Sequence, residues 1–325
     1  MLAVLKVILI IILFVVCAFA LLVLKVRFEI RRMAKHASAV YNAQEIAKHE
    51  SKLTAEEEQR LLAEIKKISA VSAVKITAQK SDHLPLCVSK FGGMPYWDTK
   101  MPYPTDNQGN KLILLAQLNF AEIPHLSDFP ETGLLQIFLS PDEKEYYNGL
   151  DWKNPQQQNG WRVVYHDKID ENISEQSLSA LNIPAVDTFN FLVIYQYQLS
   201  FELTESYQGT GNLEHFKSIL KQAAQTLEIS LSDDEIENWD AVLSEEFIDN
   251  SYRLNAGHWI GGYPFLIDKD PREKGKYRIL LLQIDAEFEE SNIDIMEAGM
   301  GQFFIEPEDL KKRDFSRVLY NWDCY

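Results

Sequence analysis

Residues 113–143 read ILLAQLNFAEIPHLSDFPETGLLQIFLSPDE, and residues 279–309 read ILLLQIDAEFEESNIDIMEAGMGQFFIEPED. Laid over each other without a gap, the two stretches agree at ten of thirty-one positions, among them Gln117 with Gln283, Gly133 with Gly299, Gln136 with Gln302 and Pro141 with Pro307. Ordinary residue usage would give roughly two. Each stretch follows a Gly-Gly-x-Pro turn, Gly92-Gly93-Met94-Pro95 in one case and Gly261-Gly262-Tyr263-Pro264 in the other. A unit of turn, strand, loop and strand cannot bury both faces of its own sheet. Two copies, about 89–143 and 257–309, are therefore expected to pack around a pseudo-twofold axis within one domain.

Outward from these copies, short apolar runs bounded by Gly and Pro predict strands at Leu112–Leu118, Leu134–Leu139, Trp161–His166 and Phe189–Leu203. Two stretches carry the helical period instead. Thr54-Ala55-Glu56-Glu57 forms a capping box ahead of Leu61, Leu62, Ile65 and Ile68, which predicts a docked amphipathic helix at the end of a stalk rich in Ala, Glu, Lys and Gln. Between Asn212 and Phe247, Phe216, Ile219, Leu220 and Ala223 share one face, and a second box at Ser232–Glu235 precedes Trp239, Val242 and Leu243. Two helices joined by a short acidic loop are expected there. The fold class is α+β: a mixed, mostly antiparallel sheet built from two copies of the turn-strand-loop-strand unit, with peripheral helices, behind an N-terminal transmembrane helix.

That transmembrane helix is read from Val7 to Leu24, eighteen residues without a charge. At about 1.5 Å per residue they reach roughly 27 Å, enough to cross a bilayer. Ala18-Phe19-Ala20 resembles a signal cleavage site, yet the apolar run continues through Leu21–Leu24, longer than a secretory h-region. Lys25, Arg27, Arg31, Arg32 and Lys35 follow the span, against Lys6 before it, which places the rest of the chain in the cytoplasm and the amino terminus outside. The organisation expected is a transmembrane helix over 1–25, a juxtamembrane helical stalk over 26–69 and a globular domain over 70–325. Only Cys87 and Cys324 lie beyond the span, too few for a crosslinked exported scaffold.

Residues 1–36 hold six basic and one acidic side chain, so of the chain's formal charge of −16 the remaining 289 residues carry −21. Such a surface repels nucleic-acid phosphates and anionic headgroups and favours, if anything, a protein partner with a basic surface.

The strings SKFGGMPYW (89–97), LLAQLNFAEIP (114–124), GLLQIF (133–138), GHWIGGYPF (257–265), DPR (270–272), GQFFIEPEDL (301–310) and DFSRVLYNWDCY (314–325) together resemble the YwqG-like family, catalogued as domain of unknown function 1963, over about residues 70–325. The resemblance implies a sheet-rich bacterial cytoplasmic domain with no established activity. Family members usually carry a Trp-Gly-Asp stretch before the last glycine-rich strand, whereas here Ile295-Met296 run directly into Glu297-Ala298-Gly299. The membrane helix lies outside the family's domain.

No P-loop, G-x-S-x-G or paired-histidine string occurs, so no metal ligand set and no cofactor is expected. The remaining candidates are single residues. His258 stands before a Gly-Gly turn with Asp268, Asp270 and Arg272 after it and Asp285 at the end of the next strand; His258 with Asp270 or Asp285 is the hydrolase-like alternative. The structural reading is that His258 caps the turn, Asp270 opens the Asp-Pro turn and Arg272 pairs with a carboxylate of this acidic domain. Gln117 and Gln283, in apolar runs, must find hydrogen-bond partners; they either face each other across the axis or line a shared pocket. Tyr96, Trp97 and Tyr103, among Pro95, Pro102 and Pro104, either form an aromatic shelf for a peptide or sugar or cover a core edge. The Gly-Gly turns either cradle an anion or allow close chain packing. The function expected is a membrane-anchored binding or interaction module, in one version a protective partner for a toxin.

Overall fold

The computed structural model describes residues 51–141, 149–184, 192–193, 195–210, 213–267, 269–286 and 299–324. The span expected at 7–24, the stalk up to residue 50, Asp268, the 295–298 stretch and Tyr325 fall outside them. Among the described residues no helix is long and apolar enough to cross a membrane.

Ten strands form one sheet: β1 Val71–Ser81, β2 Lys90–Phe91, β3 Ile113–Asn119, β4 Leu134–Leu139, β5 Trp161–His166, β6 Gln196–Ser206, β7 His258–Gly261, β8 Ile279–Asp285, β9 Gly299–Ile305 and β10 Leu319–Cys324. Their order is β10-β9-β8-β7-β1-β6-β2-β3-β4-β5, and every pairing is antiparallel. The two long strands, β1 and β6, pair along their full length from Val71 opposite Ser206 to Ser81 opposite Gln196. β7–β10 extend the sheet from β1, and β2–β5 extend it from β6.

The strands β3, β4 and β9 are buried on both faces, which is why they read as continuous apolar runs and not as an alternation. On the inner face of the curl, Val74, Phe91, Leu115, Ile137, Trp161, Leu282 and Phe303 join the main core. On the outer face, Leu114, Leu134 and Phe138 pack under the 86–112 loop, and Leu280, Phe304 and Leu319 pack under Leu266 and Tyr277.

The ladders β3–β4 and β8–β9 share a register. Gln117 lies opposite Gln136 and Gln283 opposite Gln302, and each ladder shifts once, between Leu114 and Ala116 and between Leu280 and Leu282. The preceding glycines all have positive φ: +63° and +72° at Gly92 and Gly93, +71° and +74° at Gly261 and Gly262. A Cβ on Gly92 would lie 2.2 Å from the Tyr195 carbonyl oxygen, and one on Gly262 2.5 Å from Ser206 Cβ. These turns are spent on close chain packing.

The helix Ala55–Ser69 starts at the expected capping box, with Thr54 accepting from Glu57 N–H and the Glu57 carboxylate bonding back. Its Leu61 and Ile65 pack with Phe216, Leu220, Trp239 and Phe247 in a separate helical cluster, within the compact unit Leu53–Tyr325. The strand placed at Phe189–Leu203 occupies Gln196–Ser206, its alternating portion and the residues after it. The second helix expected before Phe247 is broken: helix Asp233–Glu237 ends at Asn238, a 3-10 turn follows, and a new helix runs Glu245–Tyr252. The break arises because Ser244 is a competing N-cap. Its hydroxyl accepts from Phe247 N–H at 3.1 Å, and the buried Glu58 carboxylate accepts from Ser244 N–H at 2.6 Å.

The ends of the sheet are drawn together. Trp161 of β5 lies 5.5 Å from the Tyr320 ring of β10, which stacks on Phe303 at 4.7 Å. Gln158 ties the two ends: its Oε1 accepts from the edge amide of Val163 at 2.8 Å, and its Nε2 donates to the Phe315 carbonyl at 2.7 Å. Pro155 O accepts from Tyr320 N–H at 3.0 Å. Gln158→Ala removes both bonds and exposes a β5 edge amide. We expect a loss of about 1–3 kcal/mol in urea unfolding, against under ~0.5 kcal/mol for the exposed neighbour Gln156→Ala. Equal effects would show that the closure does not run through Gln158.

Candidate functional site

His258 opens β7 opposite Ile76 and turns its ring onto Phe91 at 5.1 Å between centroids. It is 0% exposed. Its Nδ1 accepts the backbone N–H of Asp285 at 3.0 Å, while Asp285 Oδ2 accepts Gly257 N–H at 2.7 Å. The corresponding place on the other side of the sheet holds Ser89, whose hydroxyl accepts Asn119 N–H at 2.9 Å. A histidine and a serine thus do the same backbone work at the start of each outer ladder. Asp270 is elsewhere, gripped at both oxygens by Arg272 at 2.9 and 2.8 Å, and the Arg272 guanidinium lies 4.8 Å from the Phe304 ring.

Gln117 and Gln283 do not meet. Gln117 accepts Tyr96 N–H at 3.0 Å and donates to the carbonyls of Leu86 and Val88 at 2.6 and 2.7 Å. Gln283 accepts Phe265 N–H at 2.9 Å and donates to Asn255 and Gly257 at 2.9 and 2.8 Å. Each amide clamps its own turn to its own ladder, because a fully buried side chain in an apolar strand can be satisfied only by nearby backbone. Gln136 and Gln302 complete the clamps by donating to Tyr96 O at 2.6 Å and Phe265 O at 2.8 Å.

Past the clamp, the first loop bends over the outer face of β3–β5. Met101 N–H returns to Asp98 O at 2.9 Å, Trp97 Nε1 donates to Met101 O at 3.1 Å, and Tyr103 Oη donates to Leu112 O at 3.2 Å. Trp97, Tyr103 and Phe138 form an edge-to-face triad with centroids 5.3–5.9 Å apart. Tyr96 is buried beside Trp97, and its hydroxyl accepts Asp170 N–H at 2.8 Å. Beside the triad opens a cavity of about 290 Å³ lined by Trp97, Met101, Tyr103, Thr105, Arg162 and Val164, with Pro102 and Pro104. Arg162 and Val164 alternate onto this face from β5, opposite Phe138 and Gln136. Met101 at its mouth is 40% exposed.

Three residues that the sequence did not single out belong to this side. Arg162 Nη2 reaches only the Thr105 carbonyl, at 3.3 Å, and its Nε is buried without a hydrogen-bond partner among the described residues. His166, against Trp97 at 5.2 Å, bonds Gln136 Oε1 at 2.9 Å. Gln136 Nε2 already donates elsewhere, so Oε1 is the acceptor and His166 Nε2 carries the hydrogen. Burial lowers the His166 pKa to about 4 against a weaker opposing pull from Asp98, so the ring is neutral at pH 7. Lys90 is 0% exposed in β2, where its Nζ donates to Pro85 O at 3.0 Å. Burial lowers its pKa to about 8, and the charges of Cys87, Glu175 and Glu122 only partly compensate. Lys90 faces Gln117 across the ladder, and Trp259 faces Gln283.

Cys87 and Cys324 are free thiols. Among the described residues no group of three or more His, Cys, Asp or Glu is placed to hold a metal ion.

The comparison with curated proteins gives no match. A family model described as a domain of unknown function, DUF1963, matches residues 89–324, which takes in the Gly-Gly turns, both glutamine clamps and every strand from β2 to β10. The chain therefore belongs to the DUF1963 family.

Proposed function

We propose that this chain is a membrane-anchored binding module, held by residues 7–24 with its domain in the cytoplasm, and that the outer-face cleft of Trp97, Met101, Tyr103 and Arg162 receives a group from a protein partner. The observation that carries this reading is the cleft itself. It joins a rigid aromatic wall, an exposed thioether and a guanidinium bound to one carbonyl in a cavity of about 290 Å³. The excess negative charge of the domain favours a partner whose surrounding surface is basic, as a toxin held by a protective partner would be.

The hydrolase alternative has less support. His258 and Asp285 are 0% and 5% exposed and are spent on backbone amides, work that Ser89 does at the matching ladder. Asp270 is neutralised by Arg272. The shared register, the paired bulges and the matching clamps support a scaffold made of two copies of one unit about an axis between β1 and β6.

The test is a tagged pull-down of the full chain from gently solubilised membranes of its native host. The partner recovered with the wild type should be lost with Met101→Asp and kept with Asp270→Asn, and deleting residues 1–36 should release the protein from the membrane fraction. A partner retained by Met101→Asp would move the site away from the cleft.

A further inference from the structure

Arg162 sits in a molecule with 48 acidic side chains against 32 basic ones, so carboxylates are abundant. Arg253, Arg272, Arg313 and Arg317 each take one, from Asp249, Asp270, Asp167 and Asp309. Among the described residues Arg162 does not: its one acceptor is the neutral Thr105 carbonyl at 3.3 Å, and its Nε has none. The fold thus carries a half-buried cation, with a donor left unsatisfied, on the wall of its aromatic cleft. With no carboxylate opposite it among the described residues, the guanidinium keeps its charge available to an anion that enters the cleft.

We propose that Arg162 makes the cleft a carboxylate-binding site, selective for an acid attached to an apolar or aromatic group that seats against Trp97, Met101 and Val164. This rests on the reading of the cleft as the binding site. A planar monoanion matches the guanidinium fork. A phosphate dianion would need further cations, and Lys111, the nearest lysine in the 105–111 loop, is tied to the Leu181 carbonyl. The cavity, at about 290 Å³, lies at the lower edge of small-molecule sites, which suits one side chain or one ring. The acid has two sources, a free small molecule or the terminal carboxylate of a partner chain.

The experiment uses the full chain in nanodiscs, with binding read by ligand-observed NMR and folding checked by thermal melting. The probes are N-acetyl-phenylalanine and its amide, and the peptide acetyl-Gly-Gly-Phe with a free or amidated terminus. Free acids should bind roughly ten- to a hundred-fold more tightly than amides. Arg162→Gln should erase that preference, and Met101→Glu, which supplies a competing carboxylate at the mouth, should weaken acids selectively. Preference for the peptide acid identifies a chain terminus; equal binding of the amino acid identifies a small molecule. Acid and amide binding alike, with both weakened by Met101→Glu, would overturn the carboxylate assignment and leave the cleft reading standing. Absence of binding by any probe to the folded wild type would also overturn the assignment, while the cleft reading would still answer to the pull-down.

Discussion

Gln117→Leu should cost the domain about 4–8 kcal/mol, most or all of the stability of an ordinary domain. The side chain is 0% exposed and serves four partners: Tyr96 N–H, the Gln136 amide, and the carbonyls of Leu86 and Val88. Leucine matches the apolar run of β3 but satisfies none of them. Each group left buried without a bond costs about 1–3 kcal/mol, offset in part by the added apolar contact. Gln283→Leu strips Phe265 N–H and the carbonyls of Asn255 and Gly257 in the other ladder, so its cost should be nearly as large, about 3–6 kcal/mol. Urea unfolding with the same slope for each variant is the measurement. A loss under ~1 kcal/mol from either substitution would mean that the clamps are dispensable.

Lys90→Met should act in the opposite direction. Lysine titrates at 10.5 in the unfolded chain and at about 8 in the folded one, so between those values the unfolded state binds more protons. Stability therefore rises with pH across that window, and below pH 8 this residue opposes folding by on the order of 3 kcal/mol. Methionine removes the charge and leaves the Pro85 carbonyl without its donor, at a cost of about 1 kcal/mol. The net expectation is a gain of about 1–3 kcal/mol at pH 7 that shrinks towards pH 10.5. The quantity to follow is the difference between wild type and variant, because other lysines and tyrosines titrate in the same range. A difference that does not change with pH would mean that Lys90 is not desolvated in the fold.

The parts of the fold that could be read from the sequence were those with local causes. Capping boxes at Thr54 and Ser232 and the apolar runs of β3, β4 and β5 are decided by neighbours in the chain, and their positions match to within a residue or two. The central strand β1 was not legible because its inner face is built from Val74, Ile76 and Ala78, small or β-branched residues interleaved with Lys and Thr that give a weak alternation. The helix break at Asn238 depends on Glu58, which lies 186 residues from Ser244 in the chain. No window of sequence contains that contact.

The site divides in the same way. Trp97 and Tyr103 were visible as an aromatic cluster among prolines, and both are buried against Phe138. Arg162 and His166 were not, although their alternation with Trp161, Val163 and Tyr165 sets them on one face of β5. What was missing was the loop that folds over that face, brought there by Gln117 and Gln136. His258, before a Gly-Gly turn with Asp270 and Asp285 after it, has the pattern of an acid-base pair, yet its Nδ1 lone pair holds a strand amide, a task with no sequence signature of its own.

The most direct measurement is photo-crosslinking in membranes of the native host, with a benzophenone amino acid placed at Met101 and, as a control, at Leu203, which is 53% exposed on β6. The account predicts a discrete adduct from position 101 that position 203 does not give. The same adduct from both positions, or from position 203 alone, would contradict the assignment of the cleft as the binding site.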